Sequence, residues 1–247
     1  MTSNSPQFPA FGAAANPDGP RYAIYFAPDN DTPLHRFGST WLGRDAVSGA
    51  ALDQPGLDGI DAARQAELTA TANNYGFHAT LKPPFHLRGD NTAEQLLDEA
   101  ATFAAARTPF QIQLVARDLS GFLALMQKES KAEMRELAAD CVRHFDPFRA
   151  FPGEAELEKR RASGLSAQQE EMLQRWGYPY VMGEFRFHMT LSKRIKEDSE
   201  RDALMQEILK HGAEALATPV TVDAISVFQQ ENRKAPFTRL GRFAFGS

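Results

Sequence analysis

One cysteine, Cys141, in 247 residues means that no intrachain disulfide can form, so the core alone must hold the fold. It falls within Met134–Val142, whose apolar spacing predicts a helix, and reads as buried packing rather than as a nucleophile. No uninterrupted apolar run approaches the ~18 residues that a membrane helix needs, and the N-terminus has no basic start followed by an apolar signal core. The expectation is a cytoplasmic protein with no membrane partner. Neither the dinucleotide-binding nor the P-loop glycine pattern occurs. There is no His-Glu-x-x-His, no cysteine pair and no Asp-rich loop with calcium spacing, so no metal and no other cofactor is expected. With 27 basic and 32 acidic residues the net charge is only -5, which gives no overall field to gather nucleic acid. A phosphate-bearing partner must therefore be held locally. That favours a small phosphorylated substrate, with RNA ends a weaker candidate; the oligomeric state is not legible.

What is present is an ordinary globular balance, 43% hydrophobic and 24% charged. The length suits one large domain or two closely packed lobes. Met1–Pro20, rich in Pro, Asn, Gly, Ser and Ala, reads as a flexible arm, leaving 21–247 as a single domain. Arg21–Ala27 predicts a strand. Thr32-Pro33 predicts a helix start leading into Leu34–Leu42. Tyr75–Lys82 reads as a half-buried strand that Pro83-Pro84 stops. A helix follows to about Arg107, then strands over Phe110–Ala116 and Gly121–Met126, then the helix of Cys141. Residues 154–177, largely charged and polar, read as a helical insertion of two short helices. Glu184–Leu191 alternates without interruption and predicts a strand. A helix over Asp198–Ala217 and strands over Val220–Gln229 and Thr238–Phe245 complete the chain. Strands interleaved with helices, ending in strand-loop-strand, predict an α+β fold. A histidine strand followed by a helix and strand pairs occurs twice, as an internal duplication would give.

The chemistry sits in a repeated tetrapeptide. His78-Ala79-Thr80-Leu81 and His188-Met189-Thr190-Leu191 lie 110 residues apart, each preceded by a phenylalanine. From the chain's own composition one His-x-Thr-Leu is expected roughly 0.03 times, and two far less often. On a strand, His78 and Thr80 share a face, as do His188 and Thr190. Two such strands brought together would set two imidazoles and two hydroxyls in one cleft. Such a cleft suits phosphodiester cleavage: one histidine takes a proton from the attacking oxygen, the other gives one to the leaving oxygen, and the threonines donate to the non-bridging oxygens. By the same parity Lys82 and Arg186 would join that face. With Lys193 just beyond, they are the candidate cations for a growing negative charge.

The repeated motif resembles that of the two-histidine phosphoesterases, defined by two copies of His-x-Thr or His-x-Ser followed by a hydrophobic residue. The resemblance implies a bilobal α+β fold, two antiparallel sheets with flanking helices related by a pseudo-twofold about a cleft. It also implies metal-free hydrolysis of cyclic or 2′-5′ phosphodiesters. Arg21–Pro28, Phe37–Asp45 and Tyr75–Phe85 are similar to the bacterial branch associated with phosphonate-utilisation operons, which implies a ribose cyclic phosphate as substrate. Two rivals stand beside it. One is a metallophosphoesterase with scattered ligands. The other is a binding module that grips a nucleotide or RNA end without turnover, using Tyr75, Phe77, Phe85, Phe185 or Phe187 to stack bases. His35, His86, His144 and His211 have no matching partner and read as surface or packing.

Overall fold

The computed structural model describes residues 19–246, so the arm expected over Met1–Pro20 falls almost wholly outside the described residues. Strand β1 (Arg21–Phe26) forms from the aromatic and aliphatic run, with all but its first residue buried. Helix α1 (Pro33–Leu42) starts as the sequence foretells: the Thr32 hydroxyl accepts the His35 N–H, and Pro33 occupies the first turn. Helix α2 (Ala62–Tyr75) was not legible. Two of its four buried residues, Gln65 and Thr69, are polar, so its stripe is faint, although Asp61 caps it by accepting from the Arg64 N–H. Strand β2 (Ala79–Phe85) leads to α3 (Ala93–Ala105), which opens on a capping box between Thr92 and Gln95.

β2 continues through Pro83 and Pro84, which have no N–H to give. They fall between the paired residues Lys82 and Phe85, in a bulged stretch of the ladder with β1. The strand expected over Phe110–Ala116 divides at Gln113 into β3 (Phe110–Ile112) and β4 (Leu114–Leu119). Strand β5 (Phe122–Gln127) and helices α4 (Ala132–His144), α5 (Glu154–Arg161) and α6 (Ala167–Trp176) follow. Strand β6 is short, His188–Thr190. The strand expected from Glu184 is not formed there: a 3-10 turn over Met182–Glu184 stands in its place, and pairing begins at His188. Helices α7 (Asp198–His211) and α8 (Ala213–Leu216) precede the last strands. The run from Val220 divides at Asp223 into β7 (Val220–Val222) and β8 (Ala224–Gln230), and β9 (Thr238–Ala244) is the final strand.

The fold is α+β with two antiparallel sheets of unequal size: seven strands in the order β4-β5-β6-β2-β1-β8-β9, and the ribbon β3-β7. One face of the large sheet carries the main core, including Ile24, Phe26, Leu81, Leu125, Met189 and Val227. Helices α3, α4 and α7 pack there. The opposite face carries a smaller cluster around Ala23, Tyr25, Phe228 and Phe237.

A twofold relates the halves. Ala79 pairs with Met189 and Gln111 with Thr221, so in both ladders a residue meets its counterpart 110 positions later, which is the spacing of the two motifs. Across that axis β4-β5-β6 answers to β8-β1-β2, with β9 added at one edge. β1, from the start of the chain, thus takes the place that β5 holds in the other half.

Candidate active site

Facing residues of an antiparallel pair point to the same side, and neighbours alternate. Ala79 and Met189 face each other and are fully buried on the core side. His78, Thr80, His188 and Thr190 are therefore sent to the opposite face, each histidine diagonal to the other and beside the other's threonine. All four line one cavity of about 540 Å³. It lies over the junction of the two halves of one continuous sheet.

Each imidazole is anchored in the same way. His78 Nδ1 lies 2.9 Å from the Gly76 carbonyl and His188 Nδ1 lies 2.8 Å from the Arg186 carbonyl. A carbonyl only accepts, so both Nδ1 atoms donate and each Nε2 is left for chemistry. His78 Nε2 is 3.2 Å from Thr80 Oγ1, whose hydroxyl donates to it.

The Gly76 carbonyl is placed by a braced turn. Gly76 has φ 78° and ψ 174°, and a Cβ there would stand 2.4 Å from that of Ala46. Only glycine fits. Buried Arg44 clamps the same turn, with Nε and Nη2 donating to the Asn73 carbonyl at 3.0 and 2.8 Å and Nη2 to Phe237 O at 2.9 Å. Gly38 gives Phe77 room, since a Cβ would come 2.1 Å from its ring. Gly38 and Arg44 both belong to the Phe37–Asp45 stretch, and both support the start of the His78 strand.

The two rings differ in surroundings. His78 stacks on fully buried Tyr25, centroids 3.7 Å apart and planes 20° apart, with Tyr75 and Phe228 near by. Burial pushes its pKa down to about 4, against the raising effect of the Gly76 hydrogen bond, and nearby His188 lowers it further. Among the described residues the Tyr25 hydroxyl has no partner, and burial raises its pKa. His188 meets the edge of Phe122, at 6.0 Å.

The three basic residues expected beside the motifs fare differently. The shift in the β1–β2 ladder between Ile24 and Tyr25 places Lys82 opposite core residue Ile24. Lys82 is therefore turned from the cleft and is 1% exposed. Its ammonium donates to Val142 O at 2.9 Å and pairs with Asp146 at 3.3 Å. Strict alternation failed at a bulge, which the sequence does not announce. Arg186 is exposed and does not line the cavity; its carbonyl, not its guanidinium, serves His188. Lys193 does line it, with its ammonium paired to Glu67. The cations that sequence reasoning missed are Arg21, Arg160 and Arg194, and among the described residues no carboxylate lines the cavity. Arg21 shares the parity of Tyr25 along β1, so knowing that β1 pairs with β2 would have found both. Among the described residues no group of three His, Cys, Asp or Glu side chains is placed to hold a metal ion. No described helix is long and apolar enough to cross a membrane.

The chain belongs to the family described as "Protein of unknown function (DUF1045)", whose model matches residues 80–238. Among curated proteins it is 41% identical over 230 residues to a protein of Janthinobacterium sp. (strain Marseille) named ribose 1,5-bisphosphate phosphokinase PhnN. That alignment covers 91% of this chain and 51% of the relative. A protein of the same name from Laribacter hongkongensis is 33% identical over 218 residues, 88% of this chain and 50% of the relative. The chain thus spans about half the length of the curated relatives it matches. Solved structures similar to it include a conserved protein of unknown function from Agrobacterium tumefaciens (12% identity, 100% of this chain and 95% of that one, TM-score 0.46). Another is E. coli LigT complexed with ATP (14% identity, 92% and 98%, TM-score 0.37).

Proposed function

We propose that the chain is a metal-independent phosphodiesterase that hydrolyses a small cyclic or 2′-5′ phosphodiester by acid-base catalysis between His78 and His188. The observation that carries this reading is the convergence of both His-x-Thr pairs on one cavity lined by cations and no carboxylate. A diester phosphorus between two Nε2 atoms meets a base on one side and an acid on the other. His78, held neutral, is the base. Its Nε2 takes a proton from water as the water oxygen bonds to phosphorus; His188 Nε2–H gives its proton to the leaving oxygen as that P–O bond breaks. A phosphomonoester and an alcohol result, and proton exchange with solvent resets both rings. Substrate draws the Thr80 hydroxyl away from His78 Nε2, which frees that nitrogen for the water; Thr80 and Thr190 then donate to the non-bridging oxygens, and Arg21, Arg160 and Lys193 offset their charge.

Within this class a ribose cyclic phosphate formed in phosphonate breakdown is the substrate that the resemblance favours. The phosphokinase name of the relatives is not carried over, because this chain spans about half of them and has no Gly-x-x-x-x-Gly-Lys-[Ser/Thr] loop. Purified protein offered ribose 1,2-cyclic phosphate, nucleoside 2′,3′-cyclic phosphates and 2′-5′ dinucleotides should open one of these classes in the presence of EDTA. His78→Ala and His188→Ala should not. Turnover by either variant at the wild-type rate refutes the reading, and turnover lost to EDTA and restored by a divalent ion transfers it to a metallophosphoesterase.

A further inference from the structure

Lys193 stands in the wall of the catalytic cavity, yet its ammonium is paired with a carboxylate that does not line it, that of Glu67 on helix α2. Glu67 lies one helical turn before Thr71, which is in the cavity wall, so it sits at the rim on the face of α2 that leads to the site. The backbone of Lys193 is fixed there. Its N–H donates to the Leu68 carbonyl at 2.6 Å, its own carbonyl accepts from the Ser192 hydroxyl at 2.9 Å, and Leu68 and Ser192 are both buried. The Lys193 side chain is 33% exposed, and its four-carbon stem lets the ammonium swing about that fixed root. Glu67 is steadied from behind. Arg64 Nη1 donates to its Oε2 at 2.5 Å, and Arg64 is held in turn by Glu200 of α7, through Nε at 2.6 Å and Nη2 at 2.8 Å. Lys193, and then Arg64, hold the Glu67 carboxyl below its usual range. Glu67 is therefore a charged rival to any anion in the cavity for the same ammonium. The two anions of the reaction differ: a phosphodiester carries one negative charge, and the monoester product about two near neutral pH. An ammonium left free beside the phosphorus would grip the product harder than the substrate.

We propose that Glu67 is a positioning residue that lends the Lys193 ammonium to the diester and draws it back once the monoester has formed, so that the dianionic product leaves. The inference rests on the phosphodiesterase reading and adds to it a device for product release. Glu67 touches neither substrate nor reacting atoms; it acts through Lys193 alone.

The test measures competitive inhibition by inorganic phosphate, standing in for the dianionic product, during turnover of whichever cyclic phosphodiester the wild type opens. Wild type, Glu67→Gln, Lys193→Met and the double variant are compared. Glu67→Gln should lower the inhibition constant of phosphate by roughly twofold to fivefold, the range of exposed ion pairs, and lower KM by less. The gain should shrink as salt is added. Lys193→Met should raise the inhibition constant, and Glu67→Gln should add nothing in that background. An inhibition constant that Glu67→Gln leaves unchanged or raises overturns the proposal while leaving the phosphodiesterase intact. So does an equal fall with and without Lys193, which would trace the effect to net charge rather than to the ammonium. If no cyclic phosphodiester is opened, the catalytic reading fails, and titration calorimetry with inorganic phosphate decides the role of Glu67 separately. Tighter binding by Glu67→Gln than by wild type, lost in the double variant, upholds it; equal affinity, or no binding by either, overturns it.

Discussion

The two halves of the large sheet offer the same backbone to each histidine and different company. Across the ladder Thr80 faces Tyr25, whereas Thr190, its counterpart, faces Ala124. One position carries a buried phenol that stacks on His78, and the equivalent position carries a methyl group. A duplicated scaffold thus yields two imidazoles with matched tautomers and unmatched environments, which is what separate base and acid roles need.

The most severe way to break the comparison is to remove either ring. His78→Ala and His188→Ala should each lower kcat by about 10² to 10⁴-fold, with far-ultraviolet circular dichroism unchanged. A loss confined to one of them would show that the halves do not act as a pair. Next in size is Gly76→Ala, which forces a side chain into a positive-φ position against Ala46. It should destabilise the protein by about 1–3 kcal/mol in urea unfolding and reduce turnover by loosening the carbonyl that holds His78. The counterpart at Arg186 is ordinary exposed backbone, and Arg186→Ala should do neither.

The asymmetry itself is sharpened by pH. With a folded pKa near 4 against about 6.5 when unfolded, His78 binds its proton first in the unfolded chain. Stability should therefore fall as pH drops from about 6.5 to about 4, by at most ~1.4 kcal/mol per unit from this group, and level off below. Tyr25→Leu, which removes the ring stacked on His78, should move the His78 titration, followed by NMR, upward from about 4. A titration that stays where it is would deny Tyr25 its local role. The smallest effect is expected from Lys82→Met, which replaces a buried ammonium with a side chain of similar volume and leaves Asp146 paired to Arg149. KM should not change; a large rise would return Lys82 to the cleft.

Much of this site was legible because alternation along a strand is local. Phe77 through Leu81 and Phe187 through Leu191 declare by spacing alone which residues share a face. Pairing is not local. That β2 lies between β6 and β1, so that Tyr25 meets His78, depends on contacts between residues far apart in sequence. Lys82 was misplaced because a bulge reverses parity without changing composition. Helix α2 escaped because its buried face includes Gln65 and Thr69. Gly38 falls within the predicted helix Leu34–Leu42 and Arg44 just beyond it, but their work, supporting the start of the His78 strand, is visible only in three dimensions.

The three-residue strand β6 has a consequence for how the molecule fails. It joins two wings of the sheet through the shortest ladder in it, the Ala79–Met189 rung, and all four His and Thr side chains straddle that seam. Local opening starts where cooperative contacts are fewest, so warming should part the wings there first. Catalytic competence would then vanish several degrees before the helices melt, with the amides of Ala79 and Met189 exchanging early.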